Sequence, residues 1–114
     1  MLIPLRNYSN YSICESNIKI DDLVNFAEKE KLPAMALTDY KLLSGALEFS
    51  TKCQNKGIQP IIGLDVDFIS KLNHKSRLTF LCKNDTGFKN LNILSTKINT
   101  ENEFNLSLDN INNF

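Results

Sequence analysis

Two periodicities organise the apolar positions of this chain. Ile20, Leu23, Val24 and Ala27 recur at the i, i+3, i+4, i+7 spacing of one helix face, which predicts a helix over Asp21–Lys31. Asp21 and Asp22 open that helix and Lys29 and Lys31 close it, as the macrodipole favours, and Pro33 stops it. Ala34–Leu37 is a short unbroken apolar run, the pattern of a strand covered on both faces. Ser44–Lys56 reads as a second helix, with Gly57 just past its end. Ile58–Phe68 reads as a strand in which Ile61 and Ile62 are expected in the core, while Asp65 and Asp67 alternate with apolar neighbours. Lys71–Ser76 is a polar turn and Arg77–Cys82 another strand. Asp85 is expected to cap a third helix in which Phe88, Leu91 and Ile98 share a face, with Leu94 between them. Ahead of all these, Leu2–Arg6 reads as a first strand with Pro4 at an edge, and Asn7–Asn17 as a polar loop. The expected order is β-α-β-α-β-β-α, an α/β fold with a mostly parallel sheet and right-handed crossovers. Residues 99–114 are Asn-rich and read as a loop with one turn of helix capped by Ser107.

Composition narrows the function classes. The 114 residues carry 13 Lys+Arg against 13 Asp+Glu, so neither a basic nucleic-acid tail nor an acidic solvating tail is present. No apolar run approaches the length of a membrane span, and MLIPLRNYSNYS lacks the pattern of a secretory signal. Cys14, Cys53 and Cys82 form no C-x-x-C pair and read as isolated thiols of a cytoplasmic protein.

Candidate chemistry gathers where strands end. Asn7, Tyr8 and Ser9 follow the first strand, Asp39 and Tyr40 the second, and Asp65 and Asp67 lie on the third, with Glu15 in the first loop. Carboxylates converging at one rim can hold a divalent cation through oxygen ligands; the plainer reading is helix caps and solvated loop residues. His74 is the sole histidine and stands in a polar turn, so a histidine-rich metal site cannot be assembled. The four glycines are isolated and form no phosphate-binding loop.

Five segments together form a recognisable pattern. They are Leu5-Arg6-Asn7-Tyr8-Ser9-Asn10-Tyr11-Ser12, Leu32-Pro33-Ala34-Met35-Ala36-Leu37-Thr38-Asp39, Gly45-Ala46-Leu47-Glu48-Phe49, Gly57-Ile58-Gln59-Pro60-Ile61-Ile62-Gly63 and Gly87-Phe88-Lys89-Asn90-Leu91. In order and spacing they resemble the N-terminal polymerase-and-histidinol-phosphatase (PHP) domain of bacterial DNA polymerase III alpha subunits, from about Ile3 to Ile98. The resemblance implies a distorted β/α barrel, here partial: residues 1–98 as the first part of the domain and 99–114 leading onward. It also implies a rim at which intact relatives hold divalent metals for phosphoester chemistry. At that rim this chain departs from the pattern. The family's His-x-His falls on Arg6 and Tyr8, and the loop acid on Glu15. The Thr-Asp-His motif reads Thr38-Asp39-Tyr40, and the next acid falls on Asp65, or on Asp67 if the register slips by two. Arg77 stands where many relatives have His.

With the imidazoles gone and Arg6 present, the expectation is a metal-free, inactive rim held by Arg–carboxylate pairs. The resemblance implies a structural part in DNA replication, with the remainder of the alpha subunit, the proofreading exonuclease subunit and the replisome as partners. Mg²⁺, polymerase catalysis and DNA contact belong to regions not in this chain. The alternative is a metal-dependent phosphoesterase of the PHP superfamily, and a third reading is a small interaction module. An incomplete barrel is further expected to leave an edge strand open. Ile61, Ile62, Phe80 and Leu94 should then be only partly covered and the isolated chain marginally stable.

Overall fold

A computed structural model describes residues 3–12, 16–70, 72, 74–100, 106–107 and 111. Its elements are α1 (Ile20–Lys29), β1 (Ala34–Leu37), α2 (Ala46–Asn55), β2 (Gln59–Ile69), β3 (Lys75–Leu81), α3 (Asp85–Thr100) and β4 (Leu106–Ser107).

The apolar stripe of α1 is buried as its spacing requires, through Ile20, Leu23, Val24 and Ala27. Both α1 and α2 end the same way. Lys31 N–H donates to the Glu28 carbonyl and Leu32 N–H to that of Ala27; in α2, Gly57 reaches Gln54 and Ile58 reaches Cys53. These are Schellman ends, which need a left-handed residue just past the helix. Gly57 supplies it at φ +73° and Lys31 at φ +57°. α1 therefore stops at Lys29, two residues before the point the sequence pattern suggested.

β1 is buried along its whole length, and its four residues pair in parallel with Gln59–Ile62 of β2. β2 then continues as the spine of the sheet. Gly63–Ile69 pairs antiparallel with β3, and Phe68 and Ile69 pair in parallel with β4. Because β3 occupies one edge of β2, β4 lies on the same edge as β1. The sheet is mixed: the expectation of a mainly parallel sheet holds for two of its three ladders.

Among its described residues, 3–6, the predicted first strand is not a ladder strand. Residues 3–8 run beside β1, with Ala36 N–H donating to the Pro4 carbonyl and Thr38 N–H to that of Asn7. Pro4 has no N–H to return, and the Asn7 N–H goes to Thr38 Oγ1 instead. The Asn7 side chain replaces a missing rung by donating to the Ala36 carbonyl at 2.9 Å.

Two buried clusters form the core. One joins α1, β1 and α2 through Leu23, Val24, Met35, Leu37, Phe49 and Cys53. The other joins β2, α3 and β4 through Leu64, Val66, Phe68, Leu91, Leu94 and Leu106. Ile61 and Ile62 are only half-buried, and it is the next part of β2, from Gly63 to Val66, that is fully covered. Leu94, by contrast, is buried against the expectation of partial cover.

One capping expectation changes. Asn84, not Asp85, caps α3, its side chain accepting from Gly87 N–H at 2.9 Å. Ser107 is a strand residue in β4, its backbone paired to Ile69, and residues 108–110, which it was expected to cap, lie outside the described residues. No helix among the described residues is long and apolar enough to cross a membrane.

Candidate functional site at the β1–β2–β3 rim

β1 ends at Leu37, and the chain beyond it stays against β2: Asp65 N–H donates to the Asp39 carbonyl, and Lys41 N–H to that of Asp65. The odd positions of β2 from Gly63 to Asp67 face away from the Leu64, Val66 and Phe68 core. The antiparallel register sets Thr79 opposite Asp65 and Arg77 opposite Asp67. Asp65 and Asp67 thus share one face of β2, and Asp39 stands beside them at the end of β1, each carboxylate with its own partners.

Asp39 is buried and held by the first loop. Ser9 N–H and Ser9 Oγ donate to its two oxygens at 2.6 Å each, and Ser12 Oγ donates at 2.8 Å. Ser12 Oγ in turn accepts from Tyr40 N–H at 2.9 Å, which ties the loop to the end of β1.

Asp65 is fully buried. Arg6 Nη2 donates to its Oδ2 at 3.0 Å and Thr79 Oγ1 to its Oδ1 at 2.9 Å. The Tyr8 hydroxyl donates to the same Oδ2 as Arg6, and Arg6 also donates to the Tyr8 oxygen at 3.0 Å. The Asp65 hydrogen bond, followed by that to Tyr8, raises the Arg6 pKa further above its already high value. Burial first, then the bond to Asp65, raises the Tyr8 phenol.

Asp67 is half-buried. The Tyr40 hydroxyl donates to it at 2.5 Å, and Lys41 Nζ lies 3.3 Å and Arg77 Nε 3.8 Å away. Burial works to raise its pKa, but the Tyr40 hydroxyl, Lys41 and Arg77 outweigh it and the carboxyl lies below its ordinary value. The Arg77 guanidinium stands 4.0 Å from the Tyr40 ring centroid and Lys41 Nζ 5.0 Å from it, both within cation–π range.

Tyr8, Asp39, Tyr40, Asp65 and Asp67 from the strand-end reading, and Arg6 from the family pattern, therefore lie at one rim. Glu15 lies outside the described residues. His74 is exposed on the β2–β3 connection. Ser9, also expected at the end of the first strand, reaches Asp39; Ser12, Lys41 and Thr79 were not in the expected set. A hairpin centred on residue 72 pairs 65 with 79 and 67 with 77, so counting outward from the turn would have found Thr79 and Arg77.

The donor set does not suit a metal cluster. Every oxygen of Asp39 and Asp65 already accepts a hydrogen bond from the chain, and the imidazole positions carry Arg6, Tyr8 and Tyr40. Among the described residues no three His, Cys, Asp or Glu side chains group as metal ligands. A cleft of about 510 Å³ between α2, the start of β2 and the start of α3 contains none of the rim residues.

Comparison with known proteins decides the family. The PHP domain model matches residues 4–112. The chain belongs to the PHP domain family. Among curated proteins it is similar to DNA polymerase III subunit alpha of Chlamydia pneumoniae, 40% identical over 109 residues, covering 87% of this chain and 9% of that one. It is also similar to the subunit of Buchnera aphidicola, 38% identical over 97 residues, covering 83% of this chain and 8% of that one. The Rickettsia felis subunit is 37% identical over 101 residues, covering 89% of this chain and 8% of that one. This PHP chain thus spans under a tenth of the length of those relatives. Among solved structures, an amidohydrolase from Chromobacterium violaceum superposes with TM-score 0.63 at 20% identity, over 80% of this chain and 32% of that one. A Bifidobacterium adolescentis protein assigned as a metal-dependent phosphoesterase does so with TM-score 0.62 at 14% identity, with the same coverage. At such identities these two speak for the fold alone.

Proposed function

We propose that this PHP chain is the opening segment of a bacterial replicative DNA polymerase, DNA polymerase III subunit alpha, and that its rim is structural, binding no metal and hydrolysing nothing. The likeness to three alpha subunits from separate genera supports the first part. The observation that carries the second is the Arg6 guanidinium on the buried Asp65 carboxylate, 3.0 Å apart. A divalent ion at Asp65 would have to displace a permanent cation already hydrogen-bonded there, and no histidine stands near to compensate. On this reading nucleotidyl transfer, its Mg²⁺ and the DNA contacts belong to other regions of the subunit. The segment works in the cytoplasm through the remainder of that subunit, and with it the proofreading exonuclease subunit and the replisome.

The test has two arms. The purified chain, given Mn²⁺ or Zn²⁺, is expected to hydrolyse no p-nitrophenyl phosphate beyond the buffer rate. Metal-dependent hydrolysis lost on Asp65→Asn would favour the phosphoesterase reading instead. Residues 4–112 grafted in place of the matching segment of the Chlamydia pneumoniae subunit should leave primer extension intact, and a graft that folds but cannot extend primers would contradict the replicative assignment.

A further inference from the structure

Lys41 has a backbone that its residue type does not favour. Its φ is +61°, in the left-handed region where Cβ crowds the backbone and where Gly and Asn are the usual occupants. Three hydrogen bonds keep it there. Its N–H donates to the Asp65 carbonyl of β2 at 2.8 Å. Its own carbonyl accepts from two side chains of α3, Ser95 Oγ and Asn99 Nδ2, each at 2.8 Å. Asn99 also donates to the Ser95 carbonyl at 2.8 Å, so the two α3 residues form one unit. β2 thus holds the peptide group before Lys41 and α3 the one after it.

The result of that grip is the placement of the ammonium. Lys41 Nζ is 3.3 Å from Asp67 Oδ2 and stands over the Tyr40 ring. A glycine would satisfy the backbone more easily but would bring no charge. A strained backbone at a cluster of charged groups points to a role for the side chain.

We propose that Lys41 is the second resident cation of this rim, clamped by Ser95 and Asn99 so that its ammonium occupies the charge position at Asp67, and that with Arg6 it excludes divalent ions. The inference rests on the metal-free reading above. Arg6 answers Asp65 and Lys41 answers Asp67, with Arg77 beside it. An ion entering between Asp65 and Asp67 would meet two positive charges already placed at the oxygens it needs, one exposed at Arg6 and one half-buried at Lys41.

The experiment is Mn²⁺ titration of the full 114-residue chain, read from loss of the free-ion electron paramagnetic resonance signal. Lys41→Asn keeps a residue that tolerates the left-handed backbone while removing the charge, and Lys41→Gly serves as a second variant that relaxes that backbone. With Arg6→Met added, either should bind Mn²⁺ at least about tenfold more tightly than the wild type. Asp67→Asn on top of the pair should abolish the gain. Ser95→Ala with Asn99→Ala, in the Arg6→Met background, should give a gain in the same direction by freeing the ammonium. Equal Mn²⁺ uptake by wild type and a folded double variant, folding being checked by circular dichroism, overturns the proposal while leaving the metal-free reading in place. Stoichiometric uptake by the wild type overturns both.

Discussion

Three carboxylates at one rim are kept apart in character by what donates to them. Asp39 is answered by hydroxyls and a backbone N–H, Asp65 by a guanidinium, a phenol and a threonine, and Asp67 by an ammonium and a phenol. Asp39 needs both oxygens as acceptors. Asp39→Asn would turn one of them into an NH₂ group facing a donor, so a loss of about 1–3 kcal/mol is expected in urea unfolding. A variant as stable as the wild type would show that the first loop does not depend on this anchor. Asp39 was legible in the sequence because the end of an apolar run marks a strand terminus, Asp65 because it alternates with apolar neighbours along a strand, and Arg6 only through the family pattern. Lys41 was not, since a left-handed lysine leaves no mark in composition or periodicity. Ser12 looked like an ordinary loop residue until the fold brought Asp39 beneath it.

The elements repeat one device, a helix closed by a left-handed residue and followed at once by a strand. α2 uses Gly57 for that position, which the sequence advertises; α1 uses Lys31, which it does not, and its helix was accordingly read too long. Lys31→Gly removes the left-handed penalty at an exposed site and should raise stability by about 0.5–1 kcal/mol, measured by chemical unfolding. Gly63 poses the opposite constraint. A Cβ there would stand 2.5 Å from the Phe80 carbonyl oxygen and 2.9 Å from Thr38 Cγ2. Gly63→Ala should therefore cost about 1–3 kcal/mol, and a neutral result would mean that β3 can shift away from β2 without loss. The antiparallel β2–β3 hairpin accounts for the rest of what the sequence concealed. Alternation located both strands, but only the turn's centre fixes which residues face Asp65 and Asp67.

At the scale of the whole molecule, two apolar clusters, one among α1, β1 and α2 and the other among β2, α3 and β4, make up the core. Ile61 and Phe80 are half-buried, while Leu47, Phe26 and Ile93 are exposed, so cooperative stability is expected to be modest for the isolated chain. Its pH dependence follows from the shifted groups. Asp67 is depressed despite burial, by Tyr40, Lys41 and Arg77, and Glu48 is depressed by Lys52 and Tyr11. Both favour the folded state above the ordinary carboxylate pKa, and that contribution is lost as pH falls through their lower folded values. Lys41 is opposed by burial but raised on balance by Tyr40 and Asp67, so its contribution holds below its ordinary pKa and fades only as pH rises past it. Thermal stability should be flat from about pH 5 to 9 and fall below about pH 4, with Asp67→Asn shallower on the acid side. An acid limb unchanged in that variant would remove Asp67 from the account.

The central claim is that this PHP rim is neutralised by its own cations. Crystals of the chain soaked in Mn²⁺ and measured at the manganese edge test it directly. No anomalous peak is expected at the rim, and the Arg6 guanidinium should remain in contact with Asp65; a peak between Asp65 and Asp67 with Arg6 displaced would contradict this.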